Sequence, residues 1–130
     1  MTRLTVIIVG MLQDFHNAVS LLQQQLLRSD VDKAELYSTI GRVYLQLGDV
    51  QRAQQAFNSA AKLRNSSLPK DIVASLVDAG LVAVAQNAFA EAHNYYQQAL
   101  RLEPNNPLVR YRCAIAYSIF RKKNSSKLLI

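Results

Sequence analysis

Small and bulky apolar residues recur in the same order in two stretches of this chain. The first stretch contains Gly41, Tyr44, Ala53, Phe57 and Ala60. The second repeats the order in altered form with Gly80, Ala92, Tyr96 and Ala99. Internal self-similarity of this kind is typical of repeat proteins, whose units bury their apolar faces against one another. The pattern predicts stacked pairs of antiparallel helices.

The spacing within each stretch defines a repeat of about 34 residues. A first unit over residues 34–67 places Tyr37, Ile40 and Gly41 on one helix and the alanines and Phe57 on the next. A second unit over residues 73–106 ends at Pro104. This order of residue types resembles that of tetratricopeptide repeat (TPR) proteins, and the resemblance implies an all-α solenoid with a right-handed superhelix.

The matching residues have packing roles in this interpretation. Glycine lets two helices approach closely, alanine fills the crossing point, and aromatic rings close the remaining space. The structural positions are Tyr37, Gly41, Tyr44, Ala53, Phe57, Ala60, Gly80, Ala92, Tyr96, Ala99 and Pro104.

Helix boundaries agree with this register. Gly48 and Asp49 combine a helix stop with the start of the next helix, and Pro69 is tolerated in a first helical turn. Extra residues around positions 68–72 are expected to lengthen the following helix by about one turn.

Both ends are expected to be incomplete units of one domain over residues 1–123, with about seven helices in all. Residues 1–32 are interpreted as a degenerate repeat, with helices over residues 3–12 and 14–28. Residues 107–123 form a half repeat with Cys113, Ala114 and Tyr117 facing the interior, and residues 124–130 a polar, basic tail.

The half repeat lacks its second helix, so its apolar residues Ile115, Ile119 and Phe120 are expected to be exposed. A bare apolar face of this kind generally signals association. Either the repeat array is cut off at this helix, or a partner protein or a second copy of the chain covers it, and we expect the latter.

Composition supports a helical binding module. The 130 residues are half hydrophobic, with only four glycines, three prolines and no tryptophan, which favours helix over sheet. Much of the net charge of +6 lies near the C-terminus, and residues 1–120 carry only +2. Nucleic-acid binders usually spread their basic residues along one face, so no nucleic-acid partner is expected.

The cellular setting is expected to be the cytoplasm. The apolar run over residues 4–12 is shorter than the roughly 20 residues of a membrane span, and Gln13 and Asp14 follow where a signal peptide would have small residues. The single cysteine excludes an internal disulfide.

No catalytic, cofactor-binding or metal-binding residues are expected. His16 and His93 have no partner at metal-ligand spacing, and Cys113 has no neighbour in sequence that would generate a thiolate. The glycines suit helix packing and helix ends rather than a phosphate-binding loop.

In TPR proteins the first helices of the repeats line a concave, protein-binding groove. The corresponding residues here are Ser38, Arg42, Gln46, Val77, Leu81, Val84, Tyr111 and Ile115. Those from the second unit and from the half repeat, residues 77–115, are mostly apolar. Asp78 is expected near the groove, where it would repel a carboxylate. An alternative is that the groove merely holds a neighbouring helix of the same chain.

Residues 40–57 and 85–106 resemble one TPR family more closely, subunit twelve of the trafficking protein particle (TRAPP) complex. The resemblance implies a non-catalytic scaffold in a vesicle-tethering complex for transport between endoplasmic reticulum and Golgi, peripheral to those membranes. The alternative is a TPR co-chaperone or adaptor that binds peptide segments of unrelated partners. The chain lacks the Lys, Asn and Arg clamp with which chaperone-binding TPR domains hold a C-terminal carboxylate.

Overall fold

The computed structural model describes residues 3–28 and 30–128, and this part of the chain folds entirely as helices and their connections. Six helices follow one another in it: α1 Arg3–Gln25, α2 Lys33–Gln46, α3 Val50–Leu63, α4 Pro69–Ala85, α5 Phe89–Leu102 and α6 Pro107–Leu128. The predicted all-α fold class is confirmed.

Local capping determines where the middle helices begin and end. The Asp32 side chain accepts a hydrogen bond from the Glu35 backbone N–H (3.2 Å) and caps α2. Gly48 has φ +80 between α2 and α3, and Asp49 then accepts from the Arg52 backbone N–H (3.1 Å). Pro69 is the first residue of α4, where its missing N–H is not needed.

The N-terminal segment differs from the predicted helix pair. Residues 3–12 and 14–28 were expected to form two helices, but α1 is continuous from Arg3 to Gln25. Gly10 lies inside the helix and no proline follows it, so the sequence contains no strong break there. The described chain therefore has six helices rather than about seven, and residues 1, 2 and 29 of the predicted degenerate repeat lie outside the described part.

The described helices form two compact units, residues 1–63 and 64–130. In the first unit, Val19 of α1 packs with Ile40 of α2 and Ala56 of α3 in one buried cluster. Gly41 lies directly against the Phe57 ring, since a Cβ at this glycine would be 2.5 Å from the ring. These contacts combine α1, α2 and α3 around one small core.

The second unit pairs α4 with α5 as the first unit pairs α2 with α3, and α6 packs against α5. Gly80 lies against the Tyr96 ring so closely that a Cβ would overlap it. The buried cluster comprises Val73, Ala83, Ala92, Tyr96, Ala99, Val109, Cys113 and Ala116. The glycine and aromatic positions of the two units correspond, as the repeat register predicts.

Helix α6 differs in two ways from the predicted half repeat. It buries Val109, Cys113 and Ala116, whereas Ala114 and Tyr117, both expected in the interior, are exposed. The helix also continues to Leu128, through most of the segment expected to be a tail, and residues 129 and 130 lie outside the described part. No glycine or proline follows Pro107, so the sequence has no signal that ends the helix earlier.

Helix α1 is long and apolar enough, by length and composition alone, to cross a membrane over Thr5–Gln25. The prediction of no membrane span rests on the apolar run over residues 4–12, which is only part of this continuous helix. Core helices and signal sequences meet the same criterion, and here Val19 and Leu22 belong to the core of the first unit. Most of the helix is nevertheless exposed, including Val6 and Ile7.

Candidate protein-binding cleft

An apolar cleft of about 100 Å³ opens on the second unit. Each of the three helices of the unit contributes side chains to its wall. The lining residues are Leu81 and Val84 of α4, Phe89 and Tyr96 of α5, and Tyr111, Arg112, Ile115, Ala116 and Ile119 of α6. A concave apolar site with few polar groups is the usual form of a ligand or peptide pocket.

Several predicted groove residues come together in this cleft. Leu81, Val84, Tyr111 and Ile115 all line it, and so does Ile119, which was predicted as part of the exposed face of the last helix. Tyr111 is 65% exposed and Ile115 is 41% exposed, so a partner has access to the α6 side. Among the other predicted residues of this unit, Val77 packs against the core instead. Phe120 is partly buried and does not line the cleft.

Arg112 is the residue that the sequence analysis missed. Its guanidinium lies within hydrogen-bonding reach of the Tyr96 hydroxyl, and its buried Nε has no hydrogen-bond partner in the structure. None of the ion pairs found among the described residues includes Arg112. Burial raises the pKa of Tyr96, with the nearby Arg112 charge acting in the opposite direction. The cleft thus combines apolar walls with a cation that has no carboxylate partner.

The sequence contained a signal for this feature in the charges of α6. The helix has no Asp or Glu and contains the basic residues Arg110, Arg112, Arg121, Lys122, Lys123 and Lys127. Lys123 extends over the Phe89 ring, with its Nζ 4.5 Å from the ring centroid. The basic residues therefore belong to a helix that lines the cleft.

Comparison with known proteins assigns the family. The tetratricopeptide repeat family model matches residues 32–103, more than half of the chain. The chain belongs to the tetratricopeptide repeat family. The matched segment includes α2 to α5, the helices with the paired glycine and aromatic contacts.

Individual relatives of this TPR chain are much longer proteins. It is 27% identical to human trafficking protein particle complex subunit 12 over 118 residues, which cover 89% of this chain and 16% of the relative. The mouse subunit is 31% identical over 94 residues, which cover 71% of this chain and 12% of the mouse protein. Cellulose synthase operon protein C from Komagataeibacter sucrofermentans is 34% identical over 85 residues, which cover 65% of this chain and 6% of that protein. The chain spans less than a fifth of the length of each of these relatives.

The predicted groove residues of the first TPR unit are not among the residues that line the cleft. Ser38 is only 1% exposed, so it is not available to a partner in this unit. Arg42 is held by its own helix, donating to the Ser38 hydroxyl (3.3 Å) and pairing with Glu35 (3.1 Å). Gln46 is exposed at the end of α2.

A second depression, of about 270 Å³, lies within the first TPR unit. Its lining mixes Tyr37, Tyr44 and Leu26 with polar side chains such as Gln23 and Arg52. Arg52 lies over the Tyr44 ring, with its guanidinium carbon 5.9 Å from the centroid. Its more polar wall makes it a less distinctive binding site than the cleft of the second unit.

Asp78 does not have the groove role expected for it. Its carboxylate accepts a hydrogen bond from Arg64 at 2.8 Å, and both side chains are at most 7% exposed. Arg64 also donates to the Ser75 hydroxyl (3.2 Å). The expected repulsion of a ligand carboxylate was wrong, because the Asp78 charge is buried and paired.

The structure brings together a cysteine and a histidine that are distant in sequence. The Cys113 Sγ lies 3.4 Å from His93 Nδ1, and the His93 ring packs against Tyr117 with centroids 5.1 Å apart. The sequence analysis concerned neighbours along the chain, and the structure adds this contact between α5 and α6. Burial raises the pKa of the Cys113 thiol, which favours the unreactive protonated form. Among the described residues, no group of three or more His, Cys, Asp or Glu side chains is placed to hold a metal ion.

Proposed function

We propose that this TPR chain is a non-catalytic protein interaction scaffold that binds its partner through the apolar cleft of the second unit. The observation that carries the proposal is the convergence of Leu81, Val84, Tyr111 and Ile115 on one open cleft. TPR proteins bind other proteins, and these four residues are among those that the TPR resemblance predicts to line the groove.

The partner that we propose is a subunit of a TRAPP-type tethering complex acting in transport between endoplasmic reticulum and Golgi. The similarity to trafficking protein particle complex subunit 12 of human and mouse supports this choice. The match to the human subunit covers 89% of this chain, and the match to the mouse subunit covers 71%. In this proposal the protein acts in the cytoplasm, peripheral to Golgi or intermediate membranes.

The side-chain chemistry supports a scaffold rather than an enzyme. Cys113 is the strongest candidate nucleophile, yet it is buried and its pKa is raised. His93, its neighbour, contacts the Tyr117 ring rather than a carboxylate that would orient it as a base. The family resemblance and the site chemistry therefore agree on a binding role.

The alternative is an adaptor that binds peptide segments of unrelated proteins. Asp78 does not oppose a chaperone tail, because its side chain is buried and paired with Arg64. The absence of a Lys and Asn clamp among the cleft residues still disfavours capture of a chaperone C-terminus. An acidic peptide of an unrelated protein would also suit Arg112, whose buried Nε–H has no acceptor.

A double substitution tests the proposed surface. Ile115→Asp with Ile119→Asp removes two apolar side chains from the wall of the cleft, and each contributes about 1.5 to 3 kcal/mol when it is fully buried. We expect the variant to be more soluble than wild type and to lose co-purification with TRAPP subunits, as measured by affinity isolation and mass spectrometry. Leu108→Asp is the control, because Leu108 is 55% exposed on α6 and does not line the cleft.

Two outcomes would overturn the proposed surface. Unfolding of the double variant in circular dichroism would show that these side chains are core residues rather than a binding face. A folded variant that still recovers TRAPP subunits would place the contact elsewhere on the chain. Light scattering on the same samples tests self-association, which we expect to decrease in the double variant if α6 also pairs with a second copy.

A further inference from the structure

We propose that the cleft recognises a partner segment in which a bulky apolar side chain lies next to a carboxylate. The apolar side chain fills the cleft, and the carboxylate pairs with Arg112. The inference rests on the proposed function, since it names the chemistry of the partner at the same site.

The carboxylate is inferred from the state of Arg112. A guanidinium has five N–H donors in a planar fork, and here one of them, the Nε–H, is buried without an acceptor. Leaving a charged group unsatisfied in this way is unfavourable, and within the described part of the protein no ion pair compensates it. The buried Nε–H itself is out of reach of a partner, but Arg112 also lines the cleft, and a carboxylate is the planar, two-oxygen acceptor that suits a guanidinium.

The apolar neighbour is inferred from the rest of the wall. Leu81, Val84 and Ile115 surround the opening, and the volume of about 100 Å³ suits one side chain rather than a folded surface. Binding to such a wall is favourable only when apolar atoms of the partner displace water from it. A nucleic-acid strand or a lipid headgroup would satisfy the cation but leave this wall against polar groups.

The charges of α6 favour an acidic segment over a neutral one. The helix has several basic residues and no acidic ones, so its field attracts negative peptides before contact is made. Lys123, held over Phe89 at the edge of the cleft, adds a second cation close to the opening. Attraction and shape therefore select the same class of ligand.

The test uses the full chain and an array of capped peptides. Each peptide has one Leu, Ile or Phe flanked by Asp or Glu, with matched sets in which the acidic residues are Asn and Gln, or in which the apolar residue is Ser. We expect binding by the acidic, apolar peptides alone. Because hydrogen bonds to a charged group are stronger than those between neutral groups, removing the carboxylates should weaken binding about tenfold or more.

Two variants separate recognition from folding. Arg112→Gln keeps an N–H donor for the Tyr96 hydroxyl but removes the charge, and we expect it to weaken the acidic peptides about tenfold without lowering the melting temperature. Arg110→Gln removes one charge from an exposed position outside the cleft, and its effect should be less than about twofold.

The outcomes distinguish this inference from the proposed function. Equal binding of acidic and amide peptides, or equal loss in both arginine variants, would overturn the role of Arg112. Failure of every acidic, apolar peptide to bind would overturn the inference, while co-purification with TRAPP subunits would leave the scaffold proposal intact. Binding of anionic vesicles or of poly-uridine RNA in preference to the peptides would also contradict it.

Discussion

At the scale of single residues, the packing of each unit depends on a glycine that faces an aromatic ring. Gly41 faces Phe57 and Gly80 faces Tyr96, and in both cases a Cβ would enter the space of the ring. These two contacts follow directly from the sequence, because the repeat register pairs them. The glycine at position 10 has no such neighbour within 4 Å.

Replacing Gly41 tests this packing. Gly41→Leu forces the Phe57 ring or the helices apart, and overpacking of this kind costs about 1 to 3 kcal/mol or more. We expect a clearly lower melting temperature. Gly10→Ala is the control, and it should be neutral or stabilising by up to about 1 kcal/mol, since alanine is favoured over glycine in open helix positions. If the Gly41→Leu protein had the same melting temperature as wild type, the repeat register would be wrong.

The Cys113 thiol gives a prediction about pH. Burial favours its protonated form, so its contribution to stability is present below the ordinary cysteine pKa and is lost as the pH rises through the raised pKa. We expect iodoacetamide to modify Cys113 more slowly in the native protein than in the urea-unfolded chain. The rate should also rise with pH around a higher midpoint in the native protein. Mass spectrometry of samples quenched from neutral to strongly alkaline pH provides the measurement. A lower midpoint in the native protein would indicate a thiolate activated by His93.

At the scale of helices, the sequence predicts regular pairs better than the ends of the chain. The boundaries of α2 to α5 follow from local signals such as Gly48, Asp49 and Pro69, whose backbone preferences act within a few residues. The register of α6 was misplaced by one residue, because its apolar residues cover much of the circumference and no glycine marks the buried face. Arg112 consequently escaped notice as a cleft residue.

Contacts between side chains distant in the sequence were also not predictable from it. Arg64 and Asp78 are separated by 14 positions. Arg64 lies just after α3 and Asp78 lies on α4, so the two meet only in the folded chain. The same holds for His93 and Cys113, which lie on different helices. Spacing rules describe neighbours on one helix, whereas these pairs depend on how helices pack.

Breaking the buried ion pair tests how α4 is held. Asp78→Ala leaves the Arg64 charge buried and unpaired, which typically costs about 3 to 5 kcal/mol. Urea denaturation should show that loss in the free energy of unfolding. The control is Asp30→Ala, because Asp30 pairs with Arg28 at the surface, where such pairs contribute about 0 to 1 kcal/mol. Equal effects of the two substitutions would contradict the structural role of the buried pair.

At the scale of the whole molecule, family, charge and surface lead to one account. A net charge of +6 alone would suit a nucleic-acid binder. Six of the basic residues of the chain, however, lie together on α6. That helix also contributes most of the lining of the apolar cleft. We therefore interpret the charge as part of a protein-binding surface on a TPR scaffold.

Site-specific photocrosslinking in cells tests this account most directly. A benzophenone amino acid replaces Tyr111, which is exposed at the cleft, and in a matched control it replaces Leu102, which is 42% exposed on α5 outside the lining. We predict a covalent adduct to a protein of the TRAPP complex from position 111 and none from position 102. Adducts from position 102 alone, or adducts from position 111 to nucleic acid or lipid, would contradict the cleft as the protein-binding surface.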